Sequence, residues 1–371
     1  MDAINRADLS PAGMSGMASD GTSPSGGGSG KDGDAAATDF SRITLQDKYR
    51  AESGRVFLTG TQALVRLMIE QARRDAAAGL NTAGYVSGYR GSPLGGLDQA
   101  LWQSQDLLDE HRIGFLPAIN EELAATALIG TQQVPLYPDA EVEGVFGLWY
   151  GKGPGLDRAG DALKHANSLG SSAKGGVVVV VGDDHGAMSS SLAHQCEQVM
   201  ASWMMPVLHP ASIQEFLDYG LIGIALSRFS GCWVGLKAVS ETAETATNIS
   251  VGPERGQFVE PTDFTPPEGG LHIRHGDPVL SQEIRLQKAK LPAVHAFARA
   301  NRIDKVVLDC KKPRLGIAAT GKSYLYLRQA LDALGINEAE AARLGIRIYK
   351  IGLSWPLEPE AATNFSNGLD K

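Results

Sequence analysis

Several short stretches of this 371-residue chain set chemically able side chains beside glycines, which let a ligand or a second backbone come close. Tyr89–Gly96, YRGSPLGG, puts Arg90 and Ser92 on one turn. A guanidinium beside a hydroxyl suits a carboxylate, and a solvated arginine on an ordinary turn accounts for the same residues equally well. Glu121 and Glu122 open NEELAATALIG, where two acids usually complement a helix dipole; acid–base work is the other reading. Gly182–Gly186, GDDHG, groups Asp183, Asp184 and His185 after an apolar run, a set able to bind a metal or to line a cleft. Gly316–Ser323, GIAATGKS, satisfies the phosphate-loop pattern with Lys322 as its lysine. Its first glycine falls inside the strand-like run RLGIAA, and IRIYKIGLSW ends in no aspartate for magnesium. A tight strand-to-helix turn is therefore the preferred reading, with ATP binding through Lys322 as the alternative. The eight histidines form no H-x-x-x-H pair, which argues against zinc-protease chemistry, and no metal-ligand set is assigned.

Composition narrows the partners. Hydrophobic residues at 43% against 20% charged give a soluble globular balance, and the net charge of −8 offers no basic patch for nucleic acid. Cys196, Cys232 and Cys310 are far apart, so the chain by itself cannot supply four cysteines to a zinc or iron–sulfur site. Sparse, odd cysteines fit a reducing cytoplasm. The longest apolar run, around Val177–Val181, is far below the ~20 residues of a membrane span, and the first residues do not show the basic-then-apolar pattern expected of a signal peptide.

These residues need a scaffold, and the patterning supplies one. Residues 1–41 are rich in Gly and Ser and are expected to be a disordered tail. Thr61–Ala77 has the apolar spacing of an amphipathic helix, with Thr59 and Thr61 offering hydroxyls at its start. Strands are expected near Gly84–Val86, Val142–Trp149, Gly175–Val181, Pro206–His209 and Cys232–Leu236. Helices are expected at Asn120–Gly130, Asp157–Leu169, His194–Met205 and Ser212–Arg228. GGVVVVVG is an uninterrupted apolar strand of the kind buried on both faces of a parallel sheet. This alternation predicts an α/β fold with a mostly parallel sheet, whose ligands bind beyond the carboxyl ends of the strands. Residues 251–312 read as a linker followed by a helix. A second α/β unit begins at 313 and reaches Lys371 with too few elements to be complete.

The stretches LTGTQALVRL, GYVSGYRGSPLGGLDQALW, NEELAATALIGTQQV, GVFGLWYGKGPGLDRAGDALKHAN, GDDHGAMSSSLAHQ, SRFSGCWVGLK and ATGKSYLYLRQAL occur in this order from about Ile43 onwards. Together they resemble the fused bacterial indolepyruvate ferredoxin oxidoreductases, a branch of the thiamine-diphosphate-dependent 2-oxoacid:ferredoxin oxidoreductases. The resemblance covers roughly the amino-terminal third of such a chain. It implies a pyrimidine-type thiamine-diphosphate domain at 42–250 and the beginning of a transketolase-C-terminal-like domain at 313–371. It implies oxidative decarboxylation of indolepyruvate to an acyl-coenzyme A, with ferredoxin as electron acceptor. Glu121 resembles the acid that hydrogen-bonds N1′ of the aminopyrimidine, where a carboxyl group promotes loss of the thiazolium C2 proton. Ser92 resembles a hydroxyl that touches the substrate carboxylate, with Arg90 close by. Lys152 and Gly153, followed by Asp157 and Arg158, lie in GKGPGLDR, which runs near the cofactor cleft in this family. GDDHG begins like a diphosphate-binding GDG segment but lacks the later Asn, so diphosphate and Mg2+ are expected to be held outside this chain. The [4Fe–4S] clusters of the family are likewise expected elsewhere, in missing downstream domains of a homodimeric enzyme. On this reading the 371 residues alone are inactive. A non-catalytic scaffold of the same fold is the remaining alternative.

Overall fold

The structure, a computed structural model, describes residues 44–187 and 192–371. The tail assigned to 1–41 and residues 188–191 of GDDHGAMSSSLAHQ lie outside the described residues. Twelve strands are present among the described residues: β1 (Gly54–Thr59), β2 (Thr82–Gly88), β3 (Ile113–Phe115), β4 (Gly144–Lys152), β5 (Val177–Asp183), β6 (Val207–Leu208), β7 (Val234–Val239), β8 (Ala246–Val251), β9 (Lys305–Leu308), β10 (Leu315–Thr320), β11 (Ile346–Ile351) and β12 (Leu353–Trp355).

Seven of them form the central sheet in the order β12-β6-β7-β5-β4-β2-β3. All neighbours there run parallel except β12, which pairs antiparallel with β6. The expected mainly parallel α/β architecture is borne out. Strand β5 shows why: Val178 and Val180 pack into one core, while Val177, Val179 and Val181 pack into another. A strand covered on both faces has no side to leave polar, hence its unbroken valines. The first core is covered by the helices Gly60–Ala77 and Ile213–Ser230, and the second by Glu121–Gln133 and Gly160–Leu169. Thr59 caps the first helix in a reciprocal capping box with Gln62.

Two smaller sheets complete the fold. β1 pairs antiparallel with β8, and β10-β11-β9 forms a three-stranded sheet. β12 follows β11 directly yet sits on the edge of the central sheet, so the last segment of the chain contributes to both sheets.

Two local expectations are corrected and a third is borne out. The helix expected at Asp157–Leu169 is two: one starts at Gly153, runs to Arg158 and breaks at Ala159, and a second covers Gly160–Leu169. The helix expected at His194–Met205 spans only Cys196–Ser202. In GIAATGKS the preferred strand-to-helix turn is observed: β10 runs through Thr320 in continuous parallel register with β11, and a helix follows from Gly321, so no loop is left to wrap a phosphate.

Candidate active site

The chemically able residues gather at the carboxyl ends of β2, β4, β5 and β7, and glycines fit them together. Glu121 is the first residue of the Glu121–Gln133 helix. The Asn120 side chain caps that helix, accepting from Leu123 N at 2.9 Å. Trp149, wholly buried on β4, donates its indole N–H to the Glu121 carbonyl at 3.0 Å, tying the helix start to the central sheet. The positive end of the helix dipole favours a carboxylate at this position.

The Glu121 side chain lies across Gly155. A Cβ on Gly155 would overlap the carboxyl group, standing 2.6 Å from its Cδ. Glycine here is a matter of close approach, since GKGPG could not otherwise pass the acid. The same kind of contact recurs around the face. A Cβ on Gly91 would meet Lys152 Cβ at 2.9 Å, one on Gly182 would meet Pro93 at 2.8 Å, and one on Gly153 would meet the His194 ring. The YRGSP, GKGPG, GDDHG and NEEL segments are thus packed against one another.

The structure therefore joins Glu121, Gly153 and Lys152 through one turn, and Gly91 brings the Arg90–Ser92 segment against Lys152. Arg90 is exposed. Ser92 faces the other way along the strand ends: its Oγ donates to Glu244 Oε1 at 3.3 Å. Ser92, Pro93, Thr59, Thr61, Gly95, Gly96, Ala243 and Glu244 line a cavity of about 290 Å³. Asp157 Oδ2 accepts from His194 Nε2 at 2.9 Å, and Arg158 is exposed. Sequence reasoning missed Gly155, His194 and Glu244. The G-x-G spacing of GKGPG was the signal for the first; nothing in one dimension pairs the other two with their partners.

A second group of charges lies below the GDDHG turn. Asp183 is 0% exposed; its Oδ2 accepts from Cys196 N at 2.9 Å and pairs with Lys237 Nζ at 3.1 Å. Lys237 also bonds Glu197 Oε1 at 2.5 Å. Burial works against the Lys237 charge, but Cys196, Asp183 and Glu197 outweigh it and hold the ammonium above its ordinary range. Burial raises Glu197, yet the Lys237 hydrogen bond and charge carry it below the usual carboxylate range. Burial, then the Asp183 charge, pushes the Cys196 thiol well up, so it is a poor nucleophile. Ligand atoms of Asp183, Cys196 and Glu197 lie within 4.8 Å of one another, as a metal would need. The Lys237 ammonium already bridges both carboxylates, so a side chain of the chain itself stands where a cation would sit.

His209 lies at the far side of this group, against Gly321. Burial, then Lys237, lowers its pKa to about 4. Its Nδ1 is 3.3 Å from Thr320 Oγ1, and Thr320 donates to Ile351 O at 2.9 Å. Lys322, the lysine of the phosphate-loop pattern, extends over the Tyr326 ring at 5.6 Å.

Comparison with known proteins follows the same lines. The model of the indolepyruvate oxidoreductase domain matches residues 305–371. The chain is 24% identical over 329 residues to the indolepyruvate oxidoreductase subunit IorA of Methanothermobacter marburgensis, covering 88% of this chain and 48% of that protein. The IorA subunit of Archaeoglobus fulgidus is 25% identical over 335 residues, covering 88% and 48%. The chain thus spans about half the length of the curated relatives it matches. Among solved structures, the 2-oxoglutarate:ferredoxin oxidoreductase from Magnetococcus marinus, with 2-oxoglutarate, coenzyme A and succinyl-CoA bound, superposes with a TM-score of 0.63 at 13% identity. That match covers 85% of this chain and 57% of that one. The likeness establishes a shared fold.

Proposed function

We propose, from the premise that this chain is a protein of the indolepyruvate ferredoxin oxidoreductase type, that it presents Glu121 to the aminopyrimidine of thiamine diphosphate. The enzyme it serves oxidatively decarboxylates indolepyruvate to its acyl-coenzyme A and passes the electrons to ferredoxin. The observation that carries the proposal is the cradle at Gly155, where a side chain would fill the space now taken by the Glu121 carboxyl group. The residues present fit the pyrimidine half of that cofactor: a half-buried acid on a capped helix start, beside a wall without side chains.

Bound thiamine diphosphate supplies the carbon nucleophile and the electron sink for decarboxylation. The chain's own residues prepare for it. Asn120 and Trp149 fix the Glu121 backbone, so its carboxyl group holds one orientation and shares a proton with ring nitrogen N1′. Gly153 and Lys152 form the adjoining wall. Arg90 is the cation for the substrate carboxylate. Ser92 joins it only when Glu244 gives up the hydroxyl, because an anion cannot share that oxygen with a carboxylate.

The diphosphate with its Mg2+, the [4Fe–4S] clusters, and the sites for coenzyme A and ferredoxin belong to other segments, and the complete enzyme is a homodimer. Cys196 and Cys232 are buried, and the three cysteines are too few for a cluster. The experiment is viologen reduction with indolepyruvate and coenzyme A. The 371-residue chain alone is expected to show none, and the enzyme completed with its remaining segments is expected to turn over. Glu121→Gln in the completed enzyme should lower turnover by about 10²–10⁴. Undiminished turnover would remove Glu121 from the chemistry. The ATP-binding reading finds no support in the strand geometry of 315–320, and a purely structural scaffold would bind no thiamine diphosphate after completion.

A further inference from the structure

We infer that His194 is a positioning residue, whose imidazole fixes the Gly153–Gly155 turn and through it the Glu121 carboxyl group. Its functional meaning rests on the Glu121 reading above; its geometry does not.

His194 stands between two carboxylates on different elements. Its Nε2 is 2.9 Å from Asp157 Oδ2, on the helix that begins at Gly153. Its Nδ1 is 3.7 Å from Asp183 Oδ1, at the end of β5. Asp183 cannot follow the ring, because its other oxygen is held by Cys196 N and Lys237. It is the fixed post, 0% exposed, and Asp157 is the partly exposed group that the ring holds. His194 lies against Gly153: a Cβ there would stand 2.7 Å from His194 Cβ and closer still to the ring atoms Cγ and Nδ1. Two residues on, Gly155 is in the equivalent contact with Glu121.

The order of contacts is therefore Lys237, Asp183, His194, Gly153 with Asp157, Gly155 and Glu121. The Lys237–Asp183 link is an ion pair, the His194–Asp157 link a hydrogen bond, the Asp183–His194 link a polar contact at 3.7 Å, and the rest are close packing contacts along one short stretch of backbone. A six-residue helix that opens on two glycines and breaks at Ala159 is weakly held by its own backbone. Without the ring, the helix start would still be held by its own backbone, the Asn120 cap and the Trp149 bond, but the wall behind the Glu121 carboxyl group would lose its support. A displacement of about 1 Å at a reacting group is worth up to a hundredfold in rate, so this contact bears on catalysis without touching substrate.

The test is amide hydrogen exchange on the 371-residue chain, with the Trp149 indole N–H as a second probe because it bonds the Glu121 carbonyl. His194→Ala should speed exchange about tenfold at Leu123, Ala124 and Ala159 and shift the Trp149 indole resonance. The Gly60–Ala77 helix should keep its protection. Millimolar imidazole, which fits the hole left beside Gly153, should restore both signals. Should His194→Ala fail to fold, Asp157→Asn removes the carboxylate at Nε2 from a partly exposed position and should give the same local pattern. Unchanged exchange at these amides, an equal rise throughout the chain, or no rescue by imidazole would overturn the inference. None of these readouts involves thiamine diphosphate, so they stand or fall apart from the Glu121→Gln turnover test.

Discussion

At the end of β4, Lys152 passes into Gly153 and a helix; at the end of β10, Thr320 passes into Gly321 and a helix. In both places a histidine ring lies where a Cβ would stand, His194 on the first glycine and His209 on the second. The surroundings then diverge. His194 has the Asp157 carboxylate at Nε2 and, beyond hydrogen-bond range at 3.7 Å from Nδ1, the Asp183 carboxylate, and the next glycine of its helix start holds Glu121. His209 has the Thr320 hydroxyl at Nδ1 and no hydrogen-bond partner at Nε2 among the described residues. Its turn lies in the seam between the central and three-stranded sheets, which the Lys350–Glu215 ion pair also crosses. A glycine after a strand marks a close approach; what approaches decides whether the place does chemistry. The letters G-K-S, which advertise phosphate binding, lie at the seam.

The comparison breaks most visibly with a methyl group on each side. Gly155→Ala should push Glu121 aside and cost the completed enzyme about a hundredfold in turnover, measured at saturating substrate. Gly321→Ala should leave thiamine diphosphate affinity alone and cost about 1–3 kcal/mol of stability, read as a lower denaturation midpoint. If the two changes produced the same phenotype, the distinction between cleft and seam would fail.

The seam should also be sensitive to acid. His209 has a folded pKa of about 4, below the ~6.5 of an unfolded histidine. Its contribution is therefore present above the unfolded value and lost as pH falls towards the folded one. Between pH 7 and pH 5 the loss should be about 2 kcal/mol. Asp304, raised to about 6 by burial, works in the opposite sense, losing stability as pH rises through that value. Urea midpoints of wild type and His209→Gln at the two pH values isolate the histidine: the variant should lose less on acidification. Parallel behaviour of the two proteins would contradict the assignment. The smallest effect is expected at Lys322. Lys322→Ala should change neither stability nor an ATP titration, both of which should be flat in wild type as well.

What could be read from residues alone follows from the range of the forces involved. The valines of β5 reported their own burial, because covering both faces leaves a local signature. The Thr59 cap reported its helix for the same reason. β1 and β8 gave no such sign. They pair across nearly two hundred residues, and exposed side chains such as Phe57 break the alternation. β12 is three residues long and is defined only by the edge it joins. At the candidate site, Glu121 was legible through resemblance, since two acids at a helix start look like simple dipole compensation. Gly155 and His194 were not, because their roles consist of contacts between segments 34 and 41 residues apart on the chain (155 less 121; 194 less 153). Ser92 was legible as a hydroxyl on a strand-end turn, but its bond to Glu244 was not.

Glu121 and Glu122 offer the most direct test, because they are neighbours of one charge on one helix start and only Glu121 lies in the Gly155 cradle. The measurement is deuterium exchange of the thiazolium C2 proton of thiamine diphosphate in the completed enzyme, followed by quenched-flow NMR. Glu121→Gln should slow that exchange at least about a hundredfold, and Glu122→Gln should leave it within about twofold of wild type. Equal exchange in wild type and Glu121→Gln, or a large loss in Glu122→Gln alone, would contradict the account.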